Sequence, residues 1–374
     1  MNLICPICEK PMRREENRLV CPENHSFDIA RQGYVNLLPV QRRHSAHPGD
    51  TKEQVLSRRA FLEGGYYAPI ADALVDAAKK YGASGPILDV GCGEGYYCTR
   101  LAKAMNAELV GLDISKDAVR YAAGKYKQAQ WLCATAARIP VEDGAAGLLT
   151  SLFAITLPEE FHRVLGEDGL FFQVLAAQDH LLGLKKIIYD ELVFRQKDTV
   201  PLLPGFALLE SIPIRFSFTV EGQQVQNLFA MTPHLFRVSK AGAERLRNTQ
   251  SLTDTASCVL NVFRRVTAVN KHALEAYRIA QSRQSAFAEL ILRPTSEARR
   301  YRLHIYEVSA RRYGGFALNL HSAYLRNRHI RCQSSVLVFE RVADVCAVNV
   351  HLAYGVRLLP CYSFYLDFHV YRFK

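Results

Sequence analysis

No stretch of this chain approaches the ~20 consecutive apolar residues that a bilayer-spanning helix needs, although 49% of its 374 residues are apolar. The opening Met1-Asn2-Leu3-Ile4-Cys5 lacks both the basic start and the apolar core of a secretory signal. These absences point to a protein without a membrane partner that works in the cytoplasm. Thiols stay reduced there, so closely spaced cysteines suggest metal before disulfide. Tryptophan is nearly missing too, with a single copy.

Acidic residues are scarce in one region only. Residues 1–265 hold 31 Lys and Arg against 29 Asp and Glu, whereas residues 266–374 hold 16 against 7. The formal charge of +11 is therefore a property of the tail. Six of the twelve histidines fall there as well. A break of this size marks a boundary near Val266.

The first forty residues are dense in Cys, Pro and charge and can bury little apolar area unless a metal ties them together. Cys5 and Cys8 are separated by two residues, and Cys21 and His25 follow after a further twelve. Zinc takes four such ligands in a tetrahedron, one pair gripping each side. Four protein ligands leave no open position for a reacting water, so a zinc ion held by Cys5, Cys8, Cys21 and His25 is structural. Arg13, Arg14 and Arg18 between the pairs are then candidates for substrate contact. From Gln41 to Asp50 a basic linker follows, and Thr51 to Leu62 reads as a helix capped by Asp50 or Thr51. Its Arg58-Arg59 pair suits either phosphate or a solvated face.

Beyond it, strand and helix alternate, the mark of a parallel sheet with covering helices. Strands are expected at 87–90, 108–112, 130–134, 147–154 and 169–176, with helices at 96–104, 116–126 and 158–165. A helix over 180–194, a hairpin from 213–220 and 225–231, and a last helix over 233–247 complete the pattern. The order matches a seven-stranded, Rossmann-like methyltransferase sheet. A strand ending in Asp89 followed by Gly91, Gly93 and Gly95, with Tyr96 opening the next helix, brings bare backbone to a ligand at the strand's carboxyl end. The Gly-x-Gly-x-Gly spacing differs from the Gly-x-Gly-x-x-Gly of dinucleotide enzymes, which remain the alternative, and favours S-adenosylmethionine. Asp113 closes the next strand, where a carboxylate can accept both ribose hydroxyls. Asp89 either holds the cofactor's amino group or caps the turn.

Two substrate motifs are missing. After the 147–154 strand there is no Asn/Asp-Pro-Pro-Tyr clamp for an exocyclic amine and no Pro-Cys nucleophile for pyrimidine C5. Cys92, Cys98, Cys133 and Cys258 have no basic neighbour and read as small core residues.

Cys-Pro-x-Cys, Cys-Pro-x-x-His-x-Phe-Asp, Gly33-Tyr34-Val35-Asn36-Leu37-Leu38-Pro39-Val40, Pro48-Gly49-Asp50, Arg58-Arg59-Ala60-Phe61-Leu62 and Gly91-Cys92-Gly93-Glu94-Gly95-Tyr96-Tyr97 together resemble the RlmA-type 23S rRNA guanine-N1-methyltransferase family. The resemblance covers roughly residues 1–265. It implies a zinc-binding RNA-recognition domain over 1–40, a linker and helix over 41–66, and an S-adenosylmethionine-dependent methyltransferase domain over 67–265. It implies zinc on Cys5, Cys8, Cys21 and His25, and a cofactor pocket lined by Tyr67, Gly93, Glu94 and His180. The implied partner is a domain II hairpin of 23S rRNA, methylated at guanine 745 or 748, with 745 preferred, and the implied assembly is a homodimer whose zinc domains share an RNA groove. Guanine N1 is protonated at neutral pH and paired, so the base must leave its stack and lose that proton. Glu159, Glu160 and His180 are each as well explained by a structural role, and the proton acceptor stays unassigned.

Phe153-Ala154-Ile155-Thr156 departs from an aromatic-Ala-Pro-Cys-like stretch of the family, on the substrate side of the pocket. Residues 266–374 are the larger departure. They are either an added basic RNA-binding extension or chain read in an unselected frame past a lost stop codon. The absence of a patterned face favours the second. The near balance of charge in residues 1–265 keeps two rivals in play, an RNA-binding protein with a vestigial methyltransferase fold and an enzyme that methylates a small molecule or protein. Local patches at Arg13-Arg14, Arg42-Arg43 and Arg58-Arg59 favour RNA.

Overall fold

A computed structural model describes residues 1–38, 48–192, 198–266, 316–326 and 329–339. The chain divides into two units, Met1–Thr267 and Ala268–Lys374, the division falling beside the composition break at Val266.

The first unit begins with three short antiparallel strands, β1 (Arg13–Glu15), β2 (Arg18–Val20) and β3 (Ser26–Asp28). Glu16 and Asn17 link the first two, with Glu16 in the left-handed region at φ 50°, as a two-residue hairpin turn requires. Leu3, Ile4, Pro6, Leu19 and Val20 join Cys5 and Cys21 in the module's interior. So few apolar side chains cannot hold nine strand residues without a metal.

The next strand, β4 (Tyr34–Asn36), leaves the module and runs parallel to a strand of the large sheet. Tyr34 and Val35 are buried there. This placement accounts for an apolar Tyr-Val-Asn-Leu-Leu run directly after a zinc knuckle. The basic linker residues 41–47, with Arg42-Arg43, lie outside the described residues.

Helix α1 (Lys52–Glu63) starts at Thr51 with a reciprocal cap: the Thr51 hydroxyl accepts from the Gln54 amide and the Gln54 side chain accepts from the Thr51 amide. Then follow α2 (Ala68–Lys80), β5 (Ile87–Val90), α3 (Tyr96–Met105), β6 (Leu109–Asp113), α4 (Lys116–Lys125), β7 (Gln130–Cys133), β8 (Ala146–Leu152), α5 (Pro158–Val164), β9 (Leu165–Ala176), α6 (Leu182–Ile188), β10 (Phe206–Glu221), α7 (Gln223–Ala230), α8 (Lys240–Arg247) and β11 (Ser251–Arg265). The large sheet has eight strands in the order β10-β11-β9-β8-β5-β6-β7-β4. Its central strands are parallel, and β11 is antiparallel to both neighbours. Six of the seven expected strands are there, as β5 to β10; β11 stands in for the seventh, and β4 adds an eighth at one edge. From β5 the chain builds outward through β6 and β7, then crosses back to β8 on the other side of β5. That reversal opens a crevice at the carboxyl ends of β5 and β8, where such sheets bind ligands.

Three expected elements differ. The run 225–231 is helix α7, not the second strand of a hairpin: Val225, Leu228 and Phe229 are its buried apolar residues and fall at helical spacing. The true partner of β10 is β11, paired from Phe206↔Arg265 to Glu221↔Ser251, a polar-looking strand whose signal is masked by Thr, Asp and Ser. The helix expected over 180–194 is only Leu182–Ile188, and the one expected over 233–247 breaks into a 3-10 turn at Pro233–Phe236 and α8, capped by Ser239. In the second unit β12 (Phe316–Arg326) and β13 (His329–Phe339) form an antiparallel hairpin. That regularity was not legible in the tail's sequence. The rest of residues 267–374, on which both readings of the tail depend, lies outside the described residues.

Candidate metal centre and cofactor site

Among the described residues one group of metal-ligating side chains converges: Cys5, Cys8, Cys21 and His25, their ligand atoms all within 4.8 Å of one another. Cys8 and Cys21 Sγ are 3.5 Å apart, and His25 Nδ1 lies 3.6 Å from Cys5 Sγ and 3.4 Å from Cys21 Sγ. A zinc tetrahedron with bonds of about 2.0–2.3 Å has edges of about 3.5–3.8 Å, so the four atoms already stand near its corners. Backbone turns place them, with the Glu9 amide donating to the Cys5 carbonyl and the Asn24 amide to the Cys21 carbonyl. Burial pushes Cys5 up to about 11, while Cys21, against a burial effect of the same sign, is brought down to about 7 by hydrogen bonds from Cys8, His25 and Glu23. Zinc binding therefore releases protons. The donor set and spacing fit this metal.

The cofactor turn lies between β5 and α3. Gly91, Gly93 and Gly95 have φ of 80°, 55° and 89°. Asp89, buried at the end of β5, accepts a 2.5 Å hydrogen bond from the Thr150 hydroxyl of β8, and burial pushes it up to about 6. Asp113, ending β6, accepts from the Gly93 amide at 2.9 Å and from the Ser115 amide at 2.8 Å. One carboxylate thus ties the glycine turn to the start of α4 and keeps further lone pairs for a ligand. Tyr96 is turned elsewhere: Arg100 donates to its hydroxyl at 2.6 Å.

Glu94 is buried, and burial pushes it up to about 7 against the opposing charges of Arg58 and Lys125. Here α1 closes over the turn. Arg58 pairs with Asp50 at 2.5 Å, donates to the Met231 carbonyl at 3.3 Å, and would lie 3.8 Å from a Cβ on Gly93. Arg59 pairs with Glu63 and stacks over Tyr121. Both charges of the Arg58-Arg59 pair are engaged by carboxylates of the same fold. Arg58 and Asp50 are the site residues that the sequence hid, since nothing local shows an Arg on one helix reaching the next strand's glycine turn.

A carboxyl group whose folded value is raised favours the fold below its unfolded value and loses that contribution as pH rises through the folded one. For Glu94 the window runs from 4.5 to about 7. Chain stability is expected to fall across it, by at most about 3 kcal/mol for this group. In Glu94→Gln, urea unfolding at pH 5 and pH 8 should show that dependence reduced.

Across the crevice, Tyr67 and His180 pair, Tyr67 Oη to His180 Nε2 at 3.3 Å. Phe61, Phe216 and Phe218 pack edge-on to the Tyr67 ring, and burial drives its hydroxyl far above the usual range, so it stays neutral. The Ser257 amide donates to His180 Nδ1 at 3.1 Å. An amide can only donate, so the hydrogen-bond network assigns Nδ1 as the lone-pair nitrogen and Nε2 as the N–H that Tyr67 accepts. With Nδ1 so engaged, His180 orients Tyr67 and is not placed to take a proton. Glu160 is also committed, accepting from the Ile139 amide at 2.6 Å and pairing with Arg163 at 2.6 Å. Cys92, Cys98, Cys133 and Cys258 are all buried, as small core residues should be.

A Rossmann-like sheet in this strand order, with a carboxylate ending each of its first two central strands and a glycine turn between them, defines a class I S-adenosylmethionine-dependent methyltransferase. The family profile described as RlmA, N-terminal, a zinc ribbon, matches residues 3–46, and the one described as Methyltransferase domain matches residues 87–169. A Bacillus subtilis (strain 168) protein, YxjB, provisionally named a 23S rRNA (guanine-N(1)-)-methyltransferase, is 30% identical over 262 residues, 66% of this chain and 91% of its own length. The Streptomyces fradiae 23S rRNA (guanine(748)-N(1))-methyltransferase is 39% identical over 49% of this chain and 66% of its own, so this chain spans just under two thirds of that relative. The chain belongs to the RlmA-type 23S rRNA (guanine-N1)-methyltransferase family.

Proposed function

We propose that this chain transfers the methyl group of S-adenosylmethionine to N1 of a guanine in a domain II hairpin of 23S rRNA. The observation that carries the reading is the pairing in one chain of a four-ligand zinc ribbon with the Asp89–Gly95 turn, in a chain that aligns with 91% of the Bacillus subtilis relative. Guanine 745 is the proposed position. Guanine 748, the position in the Streptomyces fradiae relative's name, is the alternative that mapping decides.

When bound, S-adenosylmethionine supplies a methyl already activated by the sulfonium, so alignment and exclusion of water are the tasks left to the chain. Asp89, held by Thr150, is the carboxylate for the amino group, whose cationic charge would draw its raised value back down. Asp113 takes the ribose hydroxyls, and Gly91, Gly93, Glu94 and Gly95 line the turn with Tyr96 behind them. Tyr67, kept in place by His180, completes the wall. The N1 proton passes to water or to a group outside this set, the two best-placed candidates being committed elsewhere.

RNA contact is proposed for the zinc module. Arg13 and Arg18 flank Glu15 with side chains 76% and 55% exposed, and such surface pairs are worth about 0–1 kcal/mol, so phosphate can replace the carboxylate. Among the described residues no helix is long and apolar enough to cross a membrane, which suits the proposed cytoplasmic place beside rRNA. Sedimentation with and without RNA reads the homodimer that the family resemblance implies.

Tritium transfer from labelled S-adenosylmethionine to 23S rRNA lacking its modifications, mapped by reverse-transcription arrest, tests the reaction. One domain II stop at 745 or 748 is expected. Cofactor binding without any transfer to rRNA would sink the reading and move the activity to another substrate.

A further inference from the structure

Beside His180 stands an anomaly that the cofactor site does not use. Phe153, at the carboxyl end of β8, has φ of +54°. An aromatic residue there is strained, and such strain gathers where a side chain must be displayed for function. Phe153 is also 41% exposed and Ile155 is 56% exposed, although both come within three residues of the end of a packed central strand.

Three hydrogen bonds hold the display rigid. The Phe153 amide donates to the Val174 carbonyl at 2.9 Å, the Ser151 hydroxyl to the Ile155 carbonyl at 2.9 Å, and the Gln173 side chain to the Thr156 hydroxyl at 2.7 Å. Two neighbours fix where the ring sits. His180 lies alongside at 5.9 Å between ring centroids, tilted by 32°. Ala154 presses so closely on the cofactor turn that a Cβ on Gly91 would be 2.6 Å from its own.

We propose that Phe153 is the stacking platform for the flipped guanine, with Ile155 as its apolar rim. The inference rests on the rRNA-methylation reading and adds the residue that presents the acceptor base. A base leaving its stack loses one π-face contact, and an exposed, rigid ring returns it. Because Ala154, the next residue along, packs on the Gly91 turn, a base lying on Phe153 stands beside the methyl donor's pocket. The N1–CH3 bond then forms as the S–CH3 bond breaks, the bonding pair returning to sulfur and the N1 proton leaving to solvent.

The strain separates this role from a structural one. Phe153→Gly removes the ring and the backbone strain together, so its Tm should equal or exceed that of the parent chain, with S-adenosylmethionine affinity within about twofold. Its kcat/KM for an unmodified 23S rRNA fragment should fall by about 10- to 100-fold. Phe153→Trp should restore most of the loss, and Phe153→Leu should not. Unchanged transfer by Phe153→Gly, or equal rescue by leucine, overturns the platform while the rRNA reading stands. Loss of Tm and cofactor affinity in step with activity shows a packing residue and overturns it as well. No transfer by the parent chain overturns both.

Discussion

Replacing Gly91 by alanine is expected to destabilise the chain by about 3 kcal/mol and to abolish detectable cofactor binding. Two independent costs meet at this position. The backbone stands at φ 80°, where a Cβ costs roughly 1–2 kcal/mol. The new methyl would also fall 2.6 Å from Ala154 Cβ, and forcing such an overlap in a packed site costs roughly 1–3 kcal/mol. The turn has nowhere to retreat, because the Gly91 and Cys92 amides both donate to the Leu112 carbonyl of β6. Urea unfolding followed by Trp131, the single tryptophan, buried beneath Gly95 and Gly111, measures the first effect, and calorimetric titration with S-adenosylmethionine the second. Ala154→Gly in the same chain should return the overlap cost and leave the backbone cost. A Gly91→Ala chain of parental stability would refute the described turn.

The second large effect is expected at the metal. In Cys21→Ser the zinc content should fall from one ion per chain to near zero, and residues 3–28 should lose hydrogen-exchange protection. Structural zinc contributes about 10–16 kcal/mol of coupled binding and folding to small modules, far more than three three-residue strands and four buried aliphatic residues can replace. The large sheet should survive. Its contacts with the module are peripheral to the sheet's core: the Ile4 amide on the Pro140 carbonyl at 3.1 Å, the Glu142 amide on the Asn2 carbonyl at 3.3 Å, the Asn2 side chain on Glu142 at 2.9 Å, and ion pairs of Arg138 with Glu9 and of the amino terminus with Glu108. Cofactor affinity should therefore stay within a few-fold while transfer to rRNA drops by about 100-fold or more, as when one of two linked binding modules is lost. Retention of rRNA methylation by metal-free protein would remove the zinc module from substrate binding.

Much of this site is local in the chain and was open to reading there. Cys5, Cys8, Cys21 and His25 converge because their spacings suit two tight turns, and Asp89, Gly91, Gly93 and Gly95 share one strand-turn-helix. Asp113 was legible because it ends the neighbouring strand one crossover later. Tyr67 and His180 came only through family likeness: they are 113 residues apart, and nothing in either neighbourhood announces the other. Arg58, Asp50 and Thr150 were missed for the same reason, as were the β10–β11 pairing, in which Thr, Asp and Ser interrupt the apolar pattern, and helix α7, whose short apolar run fits two periods.

What the amino-acid sequence determined alone was thus whatever depends on a few consecutive residues: the metal set, the glycine turn, the alternation that makes a parallel sheet, and the composition break near Val266. The tertiary structure decided which distant side chains share the crevice. It turned Arg58 inward onto Asp50, engaged His180 Nδ1 with the Ser257 amide, and pressed Ala154 against Gly91 so that Phe153 stands out in a left-handed conformation. The physical reason is that turns and ligand spacings are set by local dihedral angles, whereas charge pairing, tautomer and strain depend on what packing brings within a few ångströms.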